Sequence, residues 1–544
     1  MLRPSARANS SSKNGNFQDS KAGSATSTGR KANSKIGTAL VPLILAVIFG
    51  SIIFMGWNDR SDQALGGSHK HIQSKEVPKI SPATNNLYTT KKALTPGESQ
   101  KRIGVISTGD LESAMASKVS NESLQMSFRD TPLLDSDGVT RLHVVFSTDC
   151  STFQHWQSYL LFFSAWKAGQ PGHVTRIASG CTPEEQVLAQ EWHERHVSRA
   201  MAPGQRYKIH FTPKFTMVMK DGNVVGDYKF FNKPLGLKHW MENGEGMGVN
   251  SETGSVEDED AVVILIDPDM VFLRPIGTDY SSERETIFSR KDETWTTKVQ
   301  HGFPFAQMYG LGVQWQTFNL ESITGDPDTP AKTVTKADGR SHYAAGPPYI
   351  GTARDMYHIA VKWTEFSPRV HAEYPYLLAE MYAYCIAAAH LKLPHKLIVS
   401  GMISNTGSPL AEAWPFVDKI PANEICQIAS TANHARYAVP NVIHYCQRYM
   451  IGKWFFGKRS MKRDFFTCES PLMAEPPQDI ATCKFQIKPP GTGTKVDLNE
   501  KQAKRNAFVL CGMISLLNDA GLFYKTKHCD GRGIMDKTLD LAKE

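Results

Sequence analysis

The sequence lacks the cysteine patterns of zinc proteins, since it has no CxxC pair and no Cys and His residues at zinc-site spacing. It also contains no internal repeat, which argues against a solenoid or propeller architecture. The N-terminal stretch 1–35 has almost no apolar side chains and a single acidic residue, Asp19. Because such a stretch has nothing to bury, we predict that residues 1–35 are disordered.

Charged side chains are absent from 36–57, which reads IGTALVPLILAVIFGSIIFMGW. At about 1.5 Å rise per residue a helix of this length reaches roughly 33 Å, enough to cross a bilayer core of about 30 Å. A cleaved signal peptide is the alternative, but its apolar core is usually only about 7–15 residues long. The run ends in Trp57, a residue type that suits a membrane interface. The sequence therefore predicts an uncleaved transmembrane helix over 36–57, with no later segment long and apolar enough to cross again.

Basic residues on one side of this run predict its orientation. Residues 1–35 carry Arg3, Arg7, Lys13, Lys21, Arg30, Lys31 and Lys35, whereas the residues after Trp57 are close to neutral. By the positive-inside rule the tail is cytosolic and the rest is lumenal, as in a single-pass type II protein of the Golgi or endoplasmic reticulum. The formal net charge of +7 owes much to this tail, so it does not indicate a nucleic-acid partner.

The polar, Ser-, Lys-, Gly- and Pro-containing stretch 58–139 predicts a flexible stem. It contains the triplet Asn121-Glu122-Ser123, which makes Asn121 a candidate N-glycosylation acceptor. All nine cysteines follow the stem, in the predicted lumenal part, where disulfides can form. We expect bridges among Cys468, Cys483, Cys511 and Cys529, and a plain buried thiol at Cys385. Because the count is odd, at least one cysteine has no intrachain partner.

Alternating strand and helix patterns begin at 141. RLHVVFS predicts a buried strand, 153–169 a helix, 174–179 a second strand, and Thr182-Pro183 the start of a second helix. This order predicts an α/β domain with a parallel sheet. We place that domain at 140–465 and a cysteine-containing C-terminal extension at 466–544, with a last helix over about 498–519.

Two aspartates follow the apolar run VVILI directly. Asp267 and Asp269 flank Pro268, and residues at positions i and i+2 of an extended chain point to the same side. Ligands bind beyond the carboxyl ends of strands in open α/β sheets, and paired carboxylates suit Mn²⁺ or Mg²⁺. For an isolated pair, a strand-end cap is the simpler interpretation. Behind a membrane anchor and stem, the pair instead indicates a lumenal glycosyltransferase of the GT-A type, with a Rossmann-like α/β domain.

Five segments in order also resemble a known family, the plant and algal peptidyl-serine α-galactosyltransferases and the related hydroxyproline O-arabinosyltransferases. They are LHVVFSTDCSTFQHWQSYLLFFSAWKAGQPGHVTRIASGCT, FFNKPLGLKHWM, VVILIDPDMVF, AEMYAYCIAAAHLKLPHKL and NVIHYCQRYMIGKWFFGKR. The stretch from Lys167 to Arg176 is more similar to the galactosyltransferases. The resemblance implies a UDP-sugar donor, a divalent metal (Mn²⁺ or Mg²⁺) and a protein acceptor rich in Ser or hydroxyproline.

The resemblance also implies roles for individual residues. The donor nucleotide and its phosphates are assigned to Ser147, Thr148, Asp149, Arg176, Lys233 and Lys453. The metal is assigned to Asp267, Asp269 and His444. The alternatives stay open: a helix cap at 147–149, a surface ion pair at Arg176, and a packed, hydrogen-bonded imidazole at His444.

Catalysis is assigned to Asp269, through the metal, and to Glu380, a carboxylate in the middle of an apolar helix. Glu380 would stabilise the reacting sugar carbon or orient the acceptor hydroxyl, unless it merely bonds a neighbouring Tyr or backbone group. Trp414 is a candidate for stacking on a sugar. The alternative functions are a hydroxyproline O-arabinosyltransferase and a non-catalytic, membrane-anchored carbohydrate- or Ca²⁺-binding protein.

Overall fold

The computed structural model describes residues 141–201, 206–244, 247–291, 294–408, 412–432, 435–483, 486–487 and 495–542. The predicted tail, transmembrane helix and stem, together with Asn121, lie outside the described residues. The other site residues predicted from the sequence lie among the described residues.

The strands of the described residues are β1 (Leu142–Asp149), β2 (His173–Ser179), β3 (Tyr207–Thr212), β4 (Met217–Lys220), β5 (Asn223–Asp227), β6 (Val262–Ile266), β7 (Met270–Phe272), β8 (Phe305–Met308), β9 (Ala345–Thr352), β10 (Lys396–Ile398), β11 (Met402–Ile403), β12 (Val442–His444), β13 (Arg448–Ile451), β14 (Trp454–Gly457), β15 (Leu472–Met473), β16 (Gln486–Ile487), β17 (Val496–Asp497) and β18 (Lys537–Leu539).

The α-helices are α1 (Thr152–Lys167), α2 (Pro183–His193), α3 (Arg199–Met201), α4 (Asn232–Asn243), α5 (Leu320–Thr324), α6 (Lys336–His342), α7 (Ala353–Glu373), α8 (Ala379–His390), α9 (Trp414–Val417), α10 (Ile425–Thr431) and α11 (Glu500–His528). A π-helical turn, Glu194–Ser198, joins α2 to α3. Short 3₁₀ turns occupy Lys229–Phe231, Gln314–Thr317, Pro330–Thr333, Ala422–Glu424, Lys458–Ser460 and Ile480–Thr482.

A seven-stranded sheet forms the centre of the molecule, in the order β10-β8-β9-β6-β1-β2-β3. β6, β1, β2 and β3 are parallel to one another, as the alternating strand and helix pattern predicts. β9 runs antiparallel to both β6 and β8, so the sheet is mixed and the predicted parallel sheet is correct for only part of it. All eight residues of β9 are buried. A fully buried strand has the same apolar pattern whether it runs parallel or antiparallel to its neighbours. The sequence pattern therefore carries no information about the direction of the strand.

Side chains of β1 alternate between two hydrophobic clusters on opposite faces of this sheet. Val144 and Phe146 belong to the cluster that contains α1 and α11, and Val145 belongs to the cluster that contains α4, α7 and α8. The period of two along the strand thus divides the core into two layers. Helices cover both faces, which explains why the central strands β1, β6 and β9 are mostly buried.

The C-terminal helix α11 lies in the first of these layers. It starts with a capping box, in which the Asn499 side chain accepts from the Gln502 N–H and the Gln502 side chain accepts from the Asn499 N–H. By length and composition α11 resembles a membrane span, with a mean hydropathy of 1.5 over its most apolar window. The prediction that no segment after residue 57 is long and apolar enough to cross a membrane is therefore wrong. That window is 78% buried inside the fold, because the helix supplies apolar side chains to the core.

Three disulfides link distant parts of the chain: Cys150–Cys181, Cys426–Cys511 and Cys468–Cys529. The predicted bridging of the four C-terminal cysteines is therefore correct for Cys468 with Cys529, but Cys511 pairs with Cys426 and Cys483 is free and exposed. Spacing alone does not reveal that α10, which carries Cys426, packs on α11. Cys385 is a buried free thiol as predicted, and burial raises its pKa to about 12.

Candidate functional site

The aspartate pair lies at the carboxyl end of β6, the strand next to β1 in the sheet. All five residues of β6 are buried, and the chain turns at Asp267-Pro268-Asp269, with the Met270 N–H donating to the Asp267 carbonyl over 3.1 Å. Asp269 is 6% exposed, and Asp267 is half-buried. The turn leads directly into β7, so both carboxylates are held between two strands.

His444 reaches this pair through a second, three-stranded sheet in the order β11-β12-β7. β12 runs antiparallel to β7 with His444 opposite Met270, and the Tyr445 N–H donates to the Asp269 carbonyl over 3.0 Å. The His444 Nε2 atom lies 3.2 Å from Asp269 Oδ1 and 3.9 Å from Asp267 Oδ2. One ligand atom from each of the three residues lies within 4.8 Å of the others. The structure therefore brings together the three residues that the sequence assigns to a metal.

Two lysines neutralise the aspartates. Lys458 Nζ donates to Asp269 Oδ2 over 2.6 Å, and Lys233 Nζ lies 2.7 Å from Asp267 Oδ1. The Lys233 ammonium also donates to Glu380 Oε1 over 2.6 Å. The predicted catalytic and donor residues Glu380 and Lys233 thus form one continuous ion-pair chain with the aspartate pair.

Burial and charge oppose each other in this chain. Burial alone would raise the pKa of Asp269, but Lys458 and His444 outweigh it and hold that pKa far below its usual range. Burial raises the pKa of Glu380, although Lys233 opposes the shift. For Lys233 burial acts to lower the pKa, and the Asp267 and Glu380 carboxylates more than compensate and raise it. The lysines are therefore firmly cationic and Asp269 is firmly anionic.

Glu380 is fixed by contacts other than Lys233. Its backbone N–H donates to the Tyr228 hydroxyl over 3.3 Å, and its carbonyl accepts from Trp363 Nε1 over 2.7 Å. The side chain is almost completely buried at the start of α8, and its second oxygen, Oε2, has no hydrogen-bond partner. One carboxylate oxygen of a predicted catalytic residue is thus buried without a hydrogen-bond partner.

The other side of His444 contacts Tyr309, which follows β8. The Tyr309 hydroxyl lies 3.3 Å from His444 Nδ1, which leaves Nε2 directed at the aspartates. Glu412 lies behind this pair, where its carboxylate accepts from the Ser404 N–H and, over 3.1 Å, from the Asn405 N–H. Because this polar shell comes from distant loops, sequence reasoning missed Tyr309 and Glu412.

The donor residues predicted at the end of β1 form a separate, tightly bonded group. Arg176, on β2, is 3% exposed, and its Nε donates to Thr148 Oγ1 over 2.9 Å. Its Nη2 donates to the Asp149 carbonyl over 3.1 Å. Burial lowers the pKa of Arg176 to about 10. Arg176 is thus neither a surface ion pair nor an exposed cation; it fixes the backbone at the end of β1, next to the buried Ser147.

Two other sequence candidates do not reach the ion-pair chain. Lys453 is exposed in the turn between β13 and β14, where its ammonium lies 5.1 Å from the centre of the Trp454 ring. Besides the predicted Lys233, the lysine that contacts the aspartate pair is Lys458, which sequence reasoning missed. Trp414 is 1% exposed, and its Nε1 donates to the Asn405 carbonyl over 2.8 Å. Its ring is therefore enclosed by the core, which is the default interpretation of this residue, and the alternative that it stacks on a sugar is wrong.

The β13–β14 hairpin explains why Lys458, and not Lys453, lies at the site. Arg448 pairs with Gly457 and Ile451 with Trp454, so the chain turns at 452–453 and comes back. Lys458 follows β14, the returning strand, and therefore lies close to the residues just after His444. Lys453 lies in the turn at the opposite end of the hairpin. The Gly452-Lys453 turn between two apolar strands was the sequence signal for this return.

The donor set fits a divalent cation that prefers oxygen ligands. Two carboxylates and one imidazole nitrogen are ligands that Mn²⁺ and Mg²⁺ accept, and a bound nucleotide diphosphate can complete such a shell. The Tyr309 hydroxyl on Nδ1 is the type of outer-shell contact that orients an imidazole ligand.

Comparison with known proteins gives two curated relatives. The chain is 24% identical over 342 residues to a peptidyl serine α-galactosyltransferase of Arabidopsis thaliana, an alignment that covers 62% of this chain and 34% of the relative. It is 21% identical over 430 residues to a peptidyl serine α-galactosyltransferase of Chlamydomonas reinhardtii, covering 72% of this chain and 46% of the relative. The chain thus spans less than half the length of either relative. These matches confirm the resemblance that the sequence motifs indicate, and with it the expectation of similarity to a transferase enzyme.

No protein-family model matches the chain. Two solved structures are similar at a TM-score of 0.28. One is the bifunctional glycosyltransferase WbbM in its apo form, with 9% identity over 56% of this chain and 46% of that one. The other is the galactosyltransferase LgtC with donor and acceptor sugar analogues, with 12% identity over 56% of this chain and 87% of that one.

Proposed function

We propose that the chain is a metal-dependent glycosyltransferase of the GT-A type that moves a sugar from a UDP-sugar to Ser or hydroxyproline residues of a polypeptide. The observation that carries the proposal is the cluster of Asp267, Asp269 and His444, whose ligand atoms lie within 4.8 Å of one another at the carboxyl end of β6. The two relatives are named peptidyl serine α-galactosyltransferases, which favours serine as acceptor and galactose as the sugar.

In this proposal Asp267, Asp269 and His444 hold Mn²⁺ or Mg²⁺. The bound cation supplies positive charge that stabilises the departing nucleotide diphosphate. Lys458 is the nearest protein cation to Asp269 and adds charge of the same sign beside the diphosphate. During transfer the bond from the sugar C1 to the diphosphate oxygen breaks, a bond from C1 to the acceptor hydroxyl oxygen forms, and the hydroxyl proton is released.

Glu380 is the proposed catalytic carboxylate. Lys233 fixes its Oε1, and Oε2 is buried with no hydrogen-bond partner, so the carboxylate would act through its negative charge, which stabilises the positive charge that develops at C1. Burial raises the pKa of Glu380, and the Lys233 ammonium opposes that shift. Lys233 therefore acts as a positioning residue for Glu380 as well as a partner of Asp267.

We further propose that the protein acts in the Golgi or endoplasmic reticulum, anchored through 36–57 with its described residues in the lumen. The three disulfides agree with an oxidising compartment.

A donor screen tests the function. The full chain is incubated with a panel of UDP-sugars, Mn²⁺, and serine- or hydroxyproline-rich peptides, and the mass gain of the peptide is measured. We expect the mass of one hexose on serine peptides with UDP-galactose, and no gain after chelation. A pentose gain on hydroxyproline peptides would instead identify an arabinosyltransferase, and no gain with any donor would overturn the proposal.

Variants of the aspartates tie the activity to the site. Asp267→Asn and Asp269→Asn remove negative charge without changing size, and each should lower the transfer rate at least about a hundredfold, as loss of electrostatic stabilisation does elsewhere. Asp328→Asn is the matched control, since Asp328 is exposed. Near-normal transfer by the Asp269→Asn variant with added Mn²⁺ would show that the metal assignment is wrong.

A further inference from the structure

A group of exposed apolar side chains belongs to two segments that Tyr228 joins to Glu380. Ten large apolar or aromatic side chains of the described residues are exposed, and half of them lie on the β4–β5 hairpin or just before α8. These five are Met217, Met219, Val224, Val225 and Tyr376. Single exposed apolar residues are normal on a protein surface, whereas a contiguous group marks a binding surface.

The β4–β5 hairpin turns one apolar face inward and the other outward. Val218 is partly buried and packs against the hydrophobic cluster that contains α4, α7 and α8. Met219, the next residue, points to the other face and is paired with Val224 across the hairpin. β4 and β5 form a two-stranded sheet of their own, and Met219 and Val224 are 55% and 59% exposed. The outward face is therefore apolar, and no described residue covers it.

Tyr228 connects this hairpin to the proposed catalytic carboxylate. Its backbone N–H donates to the Thr216 carbonyl over 2.7 Å, which closes the base of the hairpin. Its hydroxyl donates to the Leu377 carbonyl over 2.9 Å and accepts from the Glu380 N–H over 3.3 Å. The hairpin and the segment 376–380 are therefore held in a fixed position relative to Glu380.

Tyr376 is the most exposed residue of this group. It is 62% exposed, and its ring centre lies 4.9 Å from that of Tyr374 in an edge-to-face contact. The Tyr376 N–H donates to the Tyr374 carbonyl over 2.8 Å. Tyr374 in turn contacts the buried Tyr382 of α8, with 5.3 Å between the ring centres. Aromatic contacts that start in the core thus hold the exposed ring, so that little freedom is left to lose on binding.

We propose that Tyr376 and the outward face of the β4–β5 hairpin bind the acceptor polypeptide as an extended, proline-rich segment. The inference rests on the proposed function and adds where its acceptor lies. Proline-rich segments dock on exposed aromatic and apolar surfaces in the polyproline II conformation, because they are already extended and lose little entropy. The connection to Glu380 through Tyr228 favours the acceptor as the occupant over a second copy of the chain.

The chain length between Tyr376 and Glu380 limits the length of the bound segment. Four residues span at most about 14 Å between Cα atoms. A polyproline II segment rises about 3.1 Å per residue, so this distance corresponds to roughly four or five acceptor residues. We therefore expect that a proline within this distance of the reacting hydroxyl improves binding, and that peptides too short to reach Tyr376 bind more weakly.

Peptide binding tests the surface without requiring transfer. A fluorescein-labelled peptide that is longer than this span, and in which serine and proline alternate, is titrated with the full chain in detergent, and the anisotropy is recorded. Tyr376→Ala should weaken binding at least about fivefold, as truncation of an aromatic anchor does elsewhere. Met219→Ser should weaken binding as well, whereas Tyr376→Phe keeps the ring and should bind like the wild-type chain.

Leu188→Ala is the matched control, because Leu188 is another apolar residue, 66% exposed on α2. It should bind the peptide like the wild-type chain. Unchanged binding by Tyr376→Ala, an equal loss in Leu188→Ala, or equal binding of a peptide with alanine in place of proline overturns the inference. A change of oligomeric state in Tyr376→Ala, measured by sedimentation, with unchanged peptide binding identifies an interface between copies and also overturns it.

Transfer kinetics separate this inference from the proposed function. With the serine–proline peptide and UDP-galactose, Tyr376→Ala should lower kcat/KM for the peptide at least about fivefold, mainly through KM, and leave the KM for UDP-galactose unchanged. An unchanged peptide KM overturns the inference and leaves the function intact. If no variant transfers sugar while peptide binding still depends on Tyr376, the function fails and the polypeptide-binding surface stands.

Discussion

Lys233 connects two carboxylates, the buried Glu380 and the half-buried Asp267. Its side chain is 11% exposed, and that of Glu380 is 3% exposed. A buried ion pair contributes little over an apolar pair, but removal of one partner is costly because the other charge stays desolvated. The ammonium of Lys233 therefore matters for folding as well as for the proposed reaction.

Replacement of Lys233 by methionine should lower the free energy of unfolding by about 3–5 kcal/mol, because it leaves Glu380 and Asp267 without their cation. The double variant Lys233→Met/Glu380→Gln should recover part of this loss, since the buried charge is then removed as well. Urea unfolding followed by fluorescence measures both.

Lys238 provides the control for this experiment. It lies on the same helix, α4, and pairs with Glu242 over 2.7 Å, but its side chain is 31% exposed. Solvent screens such a pair, so Lys238→Met should cost less than about 1 kcal/mol. Equal losses for the two lysine variants would contradict the role given to Lys233.

At the scale of elements, α4 places Lys233 at the site because Gly236 lets the helix approach the sheet closely. A Cβ atom at position 236 would lie 3.1 Å from Ile177 Cγ2 and 3.8 Å from Ser147 Oγ. The helix thus rests on the ends of β1 and β2, where the predicted donor residues lie.

Gly236→Val should therefore destabilise the fold by about 1–3 kcal/mol through overpacking. It should also weaken transfer, because α4 carries Lys233. Gly226→Val is a suitable control, since its nearest neighbour would be the Val218 side chain at 3.8 Å on an exposed hairpin. Thermal unfolding and the transfer rate are measured together; a stable, fully active Gly236→Val protein would refute this placement.

Individual strands and helix ends could be predicted because the residues that determine them are neighbours in the sequence. The strand at 141–147 and the helix start at Thr182-Pro183 agree with β1 and α2, whose capping box is present. The direction of β9 was not predictable, nor was the pairing of β12 with β7, because partners far apart in the sequence determine them. For the same reason the aspartate pair could be recognised from its own segment, whereas Lys458 required knowledge of how the β13–β14 hairpin returns.

At the scale of the whole molecule, the core holds several neutral histidines. His143, His193 and His395 are 6%, 4% and 0% exposed. Burial lowers the pKa of His143 and of His193 to about 4, and that of His395 to about 3. An unfolded histidine has a pKa of about 6.5. Between these values the unfolded chain binds more protons than the folded one, so stability falls as the pH decreases.

Lowering the pH from 7.5 to 5.5 should therefore cost about 1 kcal/mol of stability for each of these histidines. The denaturant midpoint at the two pH values measures the loss. His193→Gln keeps a donor for the Tyr207 carbonyl, which His193 Nε2 contacts at 3.1 Å, and it should show a smaller drop. His358→Gln, at an exposed position, should not change the drop. A pH-independent midpoint would contradict the neutral, buried state.

The Lys458–Asp269 pair also determines the order in which the site is completed during synthesis. The two residues are separated by 189 positions in the chain. At about 5–20 residues per second, a ribosome takes roughly 10–40 s to add that stretch. Asp267 has Lys233 available as soon as it emerges, but Asp269 waits for both of its cationic partners. A nascent chain that stalls before residue 440 thus carries an unpaired carboxylate just beyond the end of β6, and quality control meets an incomplete core until about the last fifth of the protein has been made.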